Sequence, residues 1–218
     1  MEGERSFVSA VVLAAGRGLR MGARAKQLLL VDRRPLIVHV VEHALASTVD
    51  EIVVVLGHEA AAVRGVLGAC RASVDGETMR GARTRGTAIR FVVNPDYASG
   101  MASSLRAGLG GVDSRAAAAL VLLGDQPDVM AADIDAVVGA YRAAGGVAIR
   151  ALYTGTRPAT AGHPVLLDSR LWAEVCAVQG DQGAREVLSR HRAEVRSIEI
   201  AKVAPGDIDT PQDLRRTV

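Results

Sequence analysis

The chain has 218 residues, of which 49% are apolar, enough for one large core in a single α/β domain. Lys plus Arg total 26 against 24 Asp plus Glu, and aromatic residues make up 3%. So even a charge balance with so few rings excludes nucleic acid or a membrane surface as the main partner, and 23% charged residues exclude wholesale disorder.

In chain order, the apolar stretch Val8 to Ala15 follows Glu2, Glu4 and Arg5, so it lacks the basic leader of a signal peptide, and a cytoplasmic protein is expected. Strands are predicted over Val8 to Leu13, Ile52 to Leu56, Ile89 to Val93, Leu120 to Leu123, Val147 to Tyr153 and Val195 to Ile200. The first four are dominated by apolar residues, the pattern of strands buried on both faces of a sheet. Pro35 suits a first helical position, with Leu36, Val40, Val41, Ala44 and Leu45 lining one face. Further helices are predicted over Glu59 to Leu67, Ala102 to Leu109, Ala132 to Ala143 and Gly183 to His191. Strand and helix in alternation imply a three-layer α/β/α, Rossmann-like arrangement with a mostly parallel mixed sheet.

Between the second and third strands, Arg71 to Thr87 has glycines at 76, 81 and 86, arginines at 80, 83 and 85, and no periodicity. It reads as a flexible basic excursion inside the domain, not a boundary. The longest apolar run, Ala116 to Leu123, is far short of the ~20 residues of a spanning helix. Cys70 and Cys176 share no metal-ligand spacing and read as two buried thiols in a reducing compartment. His39-Val-Val-Glu42-His43 matches H-x-x-E-H, but with no further metal-ligand cluster the segment reads as a polar helix face.

The first strand runs into Ala14-Ala15-Gly16-Arg17-Gly18-Leu19-Arg20-Met21-Gly22, with Lys26 beyond. Small residues let a backbone approach a ligand, and successive N–H groups there form an anion-binding concavity. In open parallel sheets ligands sit outside the carboxyl ends of the strands, where this loop falls. Arg20 and Lys26 add charge suited to phosphate. The loop is neither a P-loop nor the dinucleotide fingerprint, which it misses by one residue.

These residues, with Leu28-Leu29, resemble the signature of nucleotidyltransferases acting on small phosphorylated acceptors, and most closely the molybdenum cofactor cytidylyltransferases. The resemblance covers nearly the whole chain: Asn94-Pro95-Asp96-Tyr97 leading to Gly100-Met101-Ala102-Ser103-Ser104-Leu105, Gly124-Asp125-Gln126-Pro127, Gly162-His163-Pro164-Val165, Gly180 to Arg185, and Asp207-Ile208-Asp209-Thr210-Pro211. Ala14-Ala15-Gly16 and Gly124-Asp125-Gln126-Pro127 favour the cytidylyl branch over the guanylyl one. Gly18 departs from the Ser common in the family and matches related sugar and isoprenoid-precursor cytidylyltransferases.

The resemblance implies transfer of CMP from CTP to the phosphate of molybdopterin, with release of pyrophosphate. It implies nucleotide binding by Leu13, Ala14, Ala15, Gly16, Gly18, Arg20 and Lys26, with Asn94 and Ser104 toward the base or ribose. Arg20, Lys26 and Asp125 are the expected catalytic set, and Asp125 and Asp209 the expected carboxylates for Mg²⁺ or Mn²⁺. Asp125 also fits a turn or helix cap, and Asp209 an N-cap with Pro211 at N1. His163, Asp181 and Arg185 are expected on the acceptor side, although Arg185 also fits a solvated helix and His163 a strand edge. The nucleotide half is expected over about residues 1–127 and the acceptor half over about 128–218. A recipient resembling xanthine dehydrogenase is the implied transient partner. A carrier that hands on the cofactor without transferring nucleotide is the reading from another class.

Overall fold

A computed structural model describes residues 5–16, 25–74, 87–208 and 213, apart from the side chains of 70–74. Its first strand, β1 (Val8–Ala14), shows why the run is apolar at every position but Ser9. Ala10, Val12 and Ala14 face one core while Val11 and Leu13 face a second on the other side of the sheet. The same two-sided burial holds for β4 (Glu51–Leu56) and β6 (Ala118–Leu123).

Between β1 and β4, a hairpin of β2 (Leu30–Val31) and β3 (Arg34–Pro35) turns at Asp32 and Arg33, both at positive φ. The remaining strands are β5 (Ala88–Val93), β7 (Ala148–Tyr153), β8 (Thr160–Asp168) and β9 (Val195–Ile200). The seven-stranded sheet has the order β5-β4-β1-β6-β8-β7-β9. Its neighbours are parallel except at β8, which runs antiparallel to both β6 and β7.

Helices α1 (Leu36–Ala46), α2 (Ala60–Val74) and α4 (Ala131–Ala144) cover one face. Helices α3 (Met101–Gly111), α5 (Trp172–Ala177) and α6 (Arg185–Arg190) cover the other. The expected three-layer α/β/α arrangement with a mostly parallel mixed sheet is therefore observed.

Several expectations are corrected. β5 is not buried on both faces: it is the edge strand, half-exposed along its length, and Arg90 within it reaches back to Glu51 and Asp113. α2 continues past Leu67 to Val74, so the basic excursion narrows to residues 75–86, which lie outside the described set. β8 and α5 belong to no predicted element. No helix among the described residues is long and apolar enough to cross a membrane.

Candidate functional site

The reversal at β8 shapes the site. Parallel strands end at one edge of the sheet, and an antiparallel strand between them begins there, so Gly162 and His163 arrive beside the ends of β1 and β6. Gly124 leaves β6 pressed against β1, donating its N–H to the Leu13 carbonyl at 2.9 Å. A Cβ on Gly124 would stand 3.0 Å from that oxygen. The next residue, Asp125, is thereby held at the carboxyl end of β6.

Lys26 occupies a 3₁₀ turn, Lys26–Leu28, and its side chain is 7% exposed. Its ammonium lies 2.7 Å from Asp125 Oδ2. Burial raises the Asp125 carboxyl above its ordinary value, opposed by the Lys26 charge and hydrogen bond and reinforced by Asp207. The Asp125 carbonyl accepts from Ile208 N at 3.1 Å, which brings the segment carrying Asp207 alongside. Asp207 Oδ1 accepts from Gln126 Nε2 at 2.8 Å. The Glu59 carboxylate accepts from the Ala25 N–H and so anchors the chain where it re-emerges from the first loop.

Thus Leu13, Ala14, Ala15, Gly16, Lys26 and Asp125 come together at one sheet edge. Gly18 and Arg20 in the first loop, and Asp209 in the last turn, lie outside the described residues. Among the described residues no three His, Cys, Asp or Glu side chains converge as a metal cage. The hard oxygens of Asp125 suit Mg²⁺ or Mn²⁺, which one or two carboxylates hold when phosphate oxygens and water complete the shell.

Asn94 and Ser104 are hydrogen-bonded to each other where β5 meets α3. Asn94 Nδ2 donates to Ser103 Oγ at 2.9 Å and Ser104 Oγ at 3.1 Å, and its Oδ1 accepts from Asp96 N at 2.9 Å. The amide is spent on joining the end of β5 to α3. Asp181 Oδ1 accepts from Met101 N at 3.2 Å, at the start of α3. Gly100 is required there: its φ is 111°, and a Cβ would meet the Gly180 carbonyl carbon at 2.5 Å.

A cavity of about 510 Å³ runs across the sheet from Leu13 to β7. Its floor is apolar, with Val121, Leu123 and Val165, and its polar lining includes Gln126, His163, Arg185 and Asp207. His163 and Arg185 therefore share one space, as the sequence suggests. Burial pulls the His163 imidazole down to about 4, against the raising effect of Asp207. The Tyr153 hydroxyl donates to the His163 carbonyl at 2.6 Å and fixes that backbone. Arg150 and Tyr153 also line the cavity and escape sequence reasoning, because no motif surrounds them; β7 is legible only as a strand.

The H-x-x-E-H segment on α1 is not arranged around a metal. His39 Nε2 lies 3.0 Å from the Val31 carbonyl, and Glu42 pairs with Arg34. Cys176 is a free, half-buried thiol, pushed up by burial.

A family model described as "MobA-like NTP transferase domain" matches residues 10–195. Nicotine blue oxidoreductase of Paenarthrobacter nicotinovorans is 32% identical over 214 residues, covering 96% of this chain and 95% of that protein. The bifunctional protein GlmU of Anaeromyxobacter sp. (strain K) is 31% identical over 188 residues; the match covers 84% of this chain and 36% of GlmU. Among solved structures, Rv0371c from Mycobacterium tuberculosis H37Rv superposes with a TM-score of 0.76 at 27% identity, covering 98% of both chains. A manganese complex of Rv0371c superposes at 0.69 with 25% identity, again covering 98% of both.

Proposed function

The chain belongs to the family of MobA-like NTP transferase domains, and from that premise we propose that it transfers CMP from CTP to the phosphate of molybdopterin. The observation that carries this reading is the Lys26–Asp125 pair at the carboxyl ends of β1 and β6, beside a cavity sized for an acceptor. A phosphate oxygen of the acceptor attacks the α-phosphorus, the bond from the α-phosphorus to the bridging oxygen breaks, and pyrophosphate leaves. The nucleophile is ionised near neutral pH, so no general base is needed, and catalysis lies in positioning and charge neutralisation.

Lys26 and Arg20 hold triphosphate oxygens over the backbone of Leu13 to Gly18. Asp125 and Asp209 would hold Mg²⁺ or Mn²⁺, which supplies charge neutralisation at the phosphates; the manganese complex of a structural neighbour supports a divalent ion. Arg185 pairs with the acceptor phosphate, and neutral His163 offers a ring nitrogen to the pterin. Asn94, Ser104 and Asp181 support this reading by fixing α3 at the edge of the site. Handover of the product to a molybdoenzyme resembling xanthine dehydrogenase completes the proposal.

The deciding experiment incubates the purified protein with Mg²⁺, molybdenum cofactor and either CTP or GTP, and identifies any nucleotide attached to the pterin. Cytosine dinucleotide with CTP alone is expected. Guanine dinucleotide moves the base assignment, and no product directs the search to phosphorylated sugars and isoprenoid precursors. A second reading, an oxidation–reduction, rests on the match over 96% of this chain and 95% of a protein named an oxidoreductase. Screening NADH and NADPH oxidation against a panel of general electron acceptors tests it.

A further inference from the structure

We propose that Arg150 is a specificity residue at the far end of the cavity, binding a planar group that presents two adjacent hydrogen-bond acceptors. Arg150 on β7 faces Val165 on β8, and Val165 in turn faces Val121 on β6, so the three share one rung of the sheet. All three line the same cavity. Ser197, the register partner of Arg150 on β9, accepts from Arg150 Nε at 3.3 Å and orients the guanidinium.

The two terminal nitrogens, Nη1 and Nη2, make no hydrogen bond or ion pair among the described residues. Other guanidiniums of the chain have their terminal nitrogens matched, Arg142 Nη2 by Asp50 and Arg106 Nη2 by the Val178 carbonyl. A half-buried arginine beside an apolar floor, with no acidic partner among the described residues, gains most from a ligand that supplies acceptors to both terminal nitrogens. The rigid fork of an arginine selects a planar pair of acceptors, either a carboxylate or the N–C=O edge of a heterocycle.

The position sets the ligand's length. Two strand spacings, roughly 10 Å, separate β7 from β6, and Asp125 lies beyond the end of β6. A molecule reaching both ends is therefore elongated, with its reacting group at Lys26–Asp125, an apolar or aromatic middle over Leu123 and Val165, and its acceptor edge at Arg150. In describing that ligand as a nucleotide acceptor, the inference rests on the transferase reading above.

Calorimetric titration of the full chain with two simple probes, pterin and benzoate, tests the site without turnover. Wild type is expected to bind at least one probe, and the one it binds identifies the edge recognised. Arg150→Gln should weaken that probe at least tenfold, Arg150→Lys should fail to restore it, and Ser197→Ala should weaken it two- to fourfold. Mg·CTP affinity should stay within twofold throughout, which also reports correct folding. Probe binding that is absent from wild type, or unchanged in a folded Arg150→Gln, overturns the inference. Probe binding that depends on Arg150 in a protein that transfers no nucleotide upholds the site and overturns the transferase reading instead.

Discussion

Lys26 and Asp125 place opposite demands on the fold. The ammonium is almost wholly buried and needs a counter-charge, while the carboxylate is itself desolvated. Removing one partner of such a pair costs more than the pair contributes, because the other charge is left behind. Asp125→Ala should therefore cost on the order of 2 kcal/mol of stability, less than the roughly 3–5 kcal/mol of a fully buried pair because its side chain is 24% exposed. Urea denaturation measures it, and Lys26→Met with Asp125→Ala together should recover part of the loss. The raised Asp125 carboxyl bears on activity too. A divalent ion binds the ionised form, so the acid limb of kcat/KM should lie above the usual Asp range and move to lower pH when Mg²⁺ is increased tenfold. His163 carries the opposite sign. Its folded value of about 4 is below the 6.5 of the unfolded chain, so the unfolded state binds the extra proton between these limits. The stability it contributes is present above pH 6.5 and is lost progressively toward pH 4, by about 3 kcal/mol over the window. The melting temperature of His163→Gln should fall less than that of wild type between those two pH values.

At the level of elements, β8 places the chemistry and is also the element the sequence hides. Thr160-Ala-Gly-His-Pro-Val-Leu-Leu-Asp168 has an interior Gly and Pro and only three consecutive strong apolar residues, which reads as a loop. Pairing on both sides overrides that local signal: β6 and β7 supply partners, with a register shift between Arg150 and Ala151 on β7. Strands β1, β4 and β6 are legible because burial on both faces leaves them apolar at every position except Ser9 and Glu51, which hydrogen-bond to each other. β5 misleads for a related reason, since its apolar residues are only partly buried against the two cores while its outer edge meets solvent. Asn94 and Asp181 are legible as motif residues, and the hydrogen bonds of their side chains to α3 are a use that the motif alone does not give. Helix α3 presses close on the sheet at Gly108, where an added Cβ would stand 2.4 Å from Val11 Cγ1. Gly108→Ala should therefore destabilise the chain by about 1–3 kcal/mol, read as a lower urea midpoint with an unchanged slope.

Across the whole molecule, the sheet brings two chemically distinct regions to one edge. In the proposed transfer the Lys26–Asp125 pair serves the phosphates, and the cavity over β6, β8 and β7, with its apolar floor, takes the acceptor. The order of the motifs suggests that division but not the distance between the regions, which depends on β8 being inserted between β6 and β7. Because the regions are separate, a nucleotide should stabilise the fold without the acceptor. A ligand at one hundred times its dissociation constant stabilises by about 2.7 kcal/mol. For a chain of this size that corresponds to a rise of roughly 5–10 °C in melting temperature. CTP with Mg²⁺ should produce such a rise, chelation with EDTA should abolish it, and Mn²⁺ should restore it. Asp125→Ala should lose the rise, while Arg185→Ala, altered only on the acceptor side, should keep it. If NADH produced the rise instead, with no need of a metal, the oxidoreductase reading would displace nucleotidyl transfer, since a triphosphate site assembled around a carboxylate-held cation has no reason to prefer a nicotinamide dinucleotide.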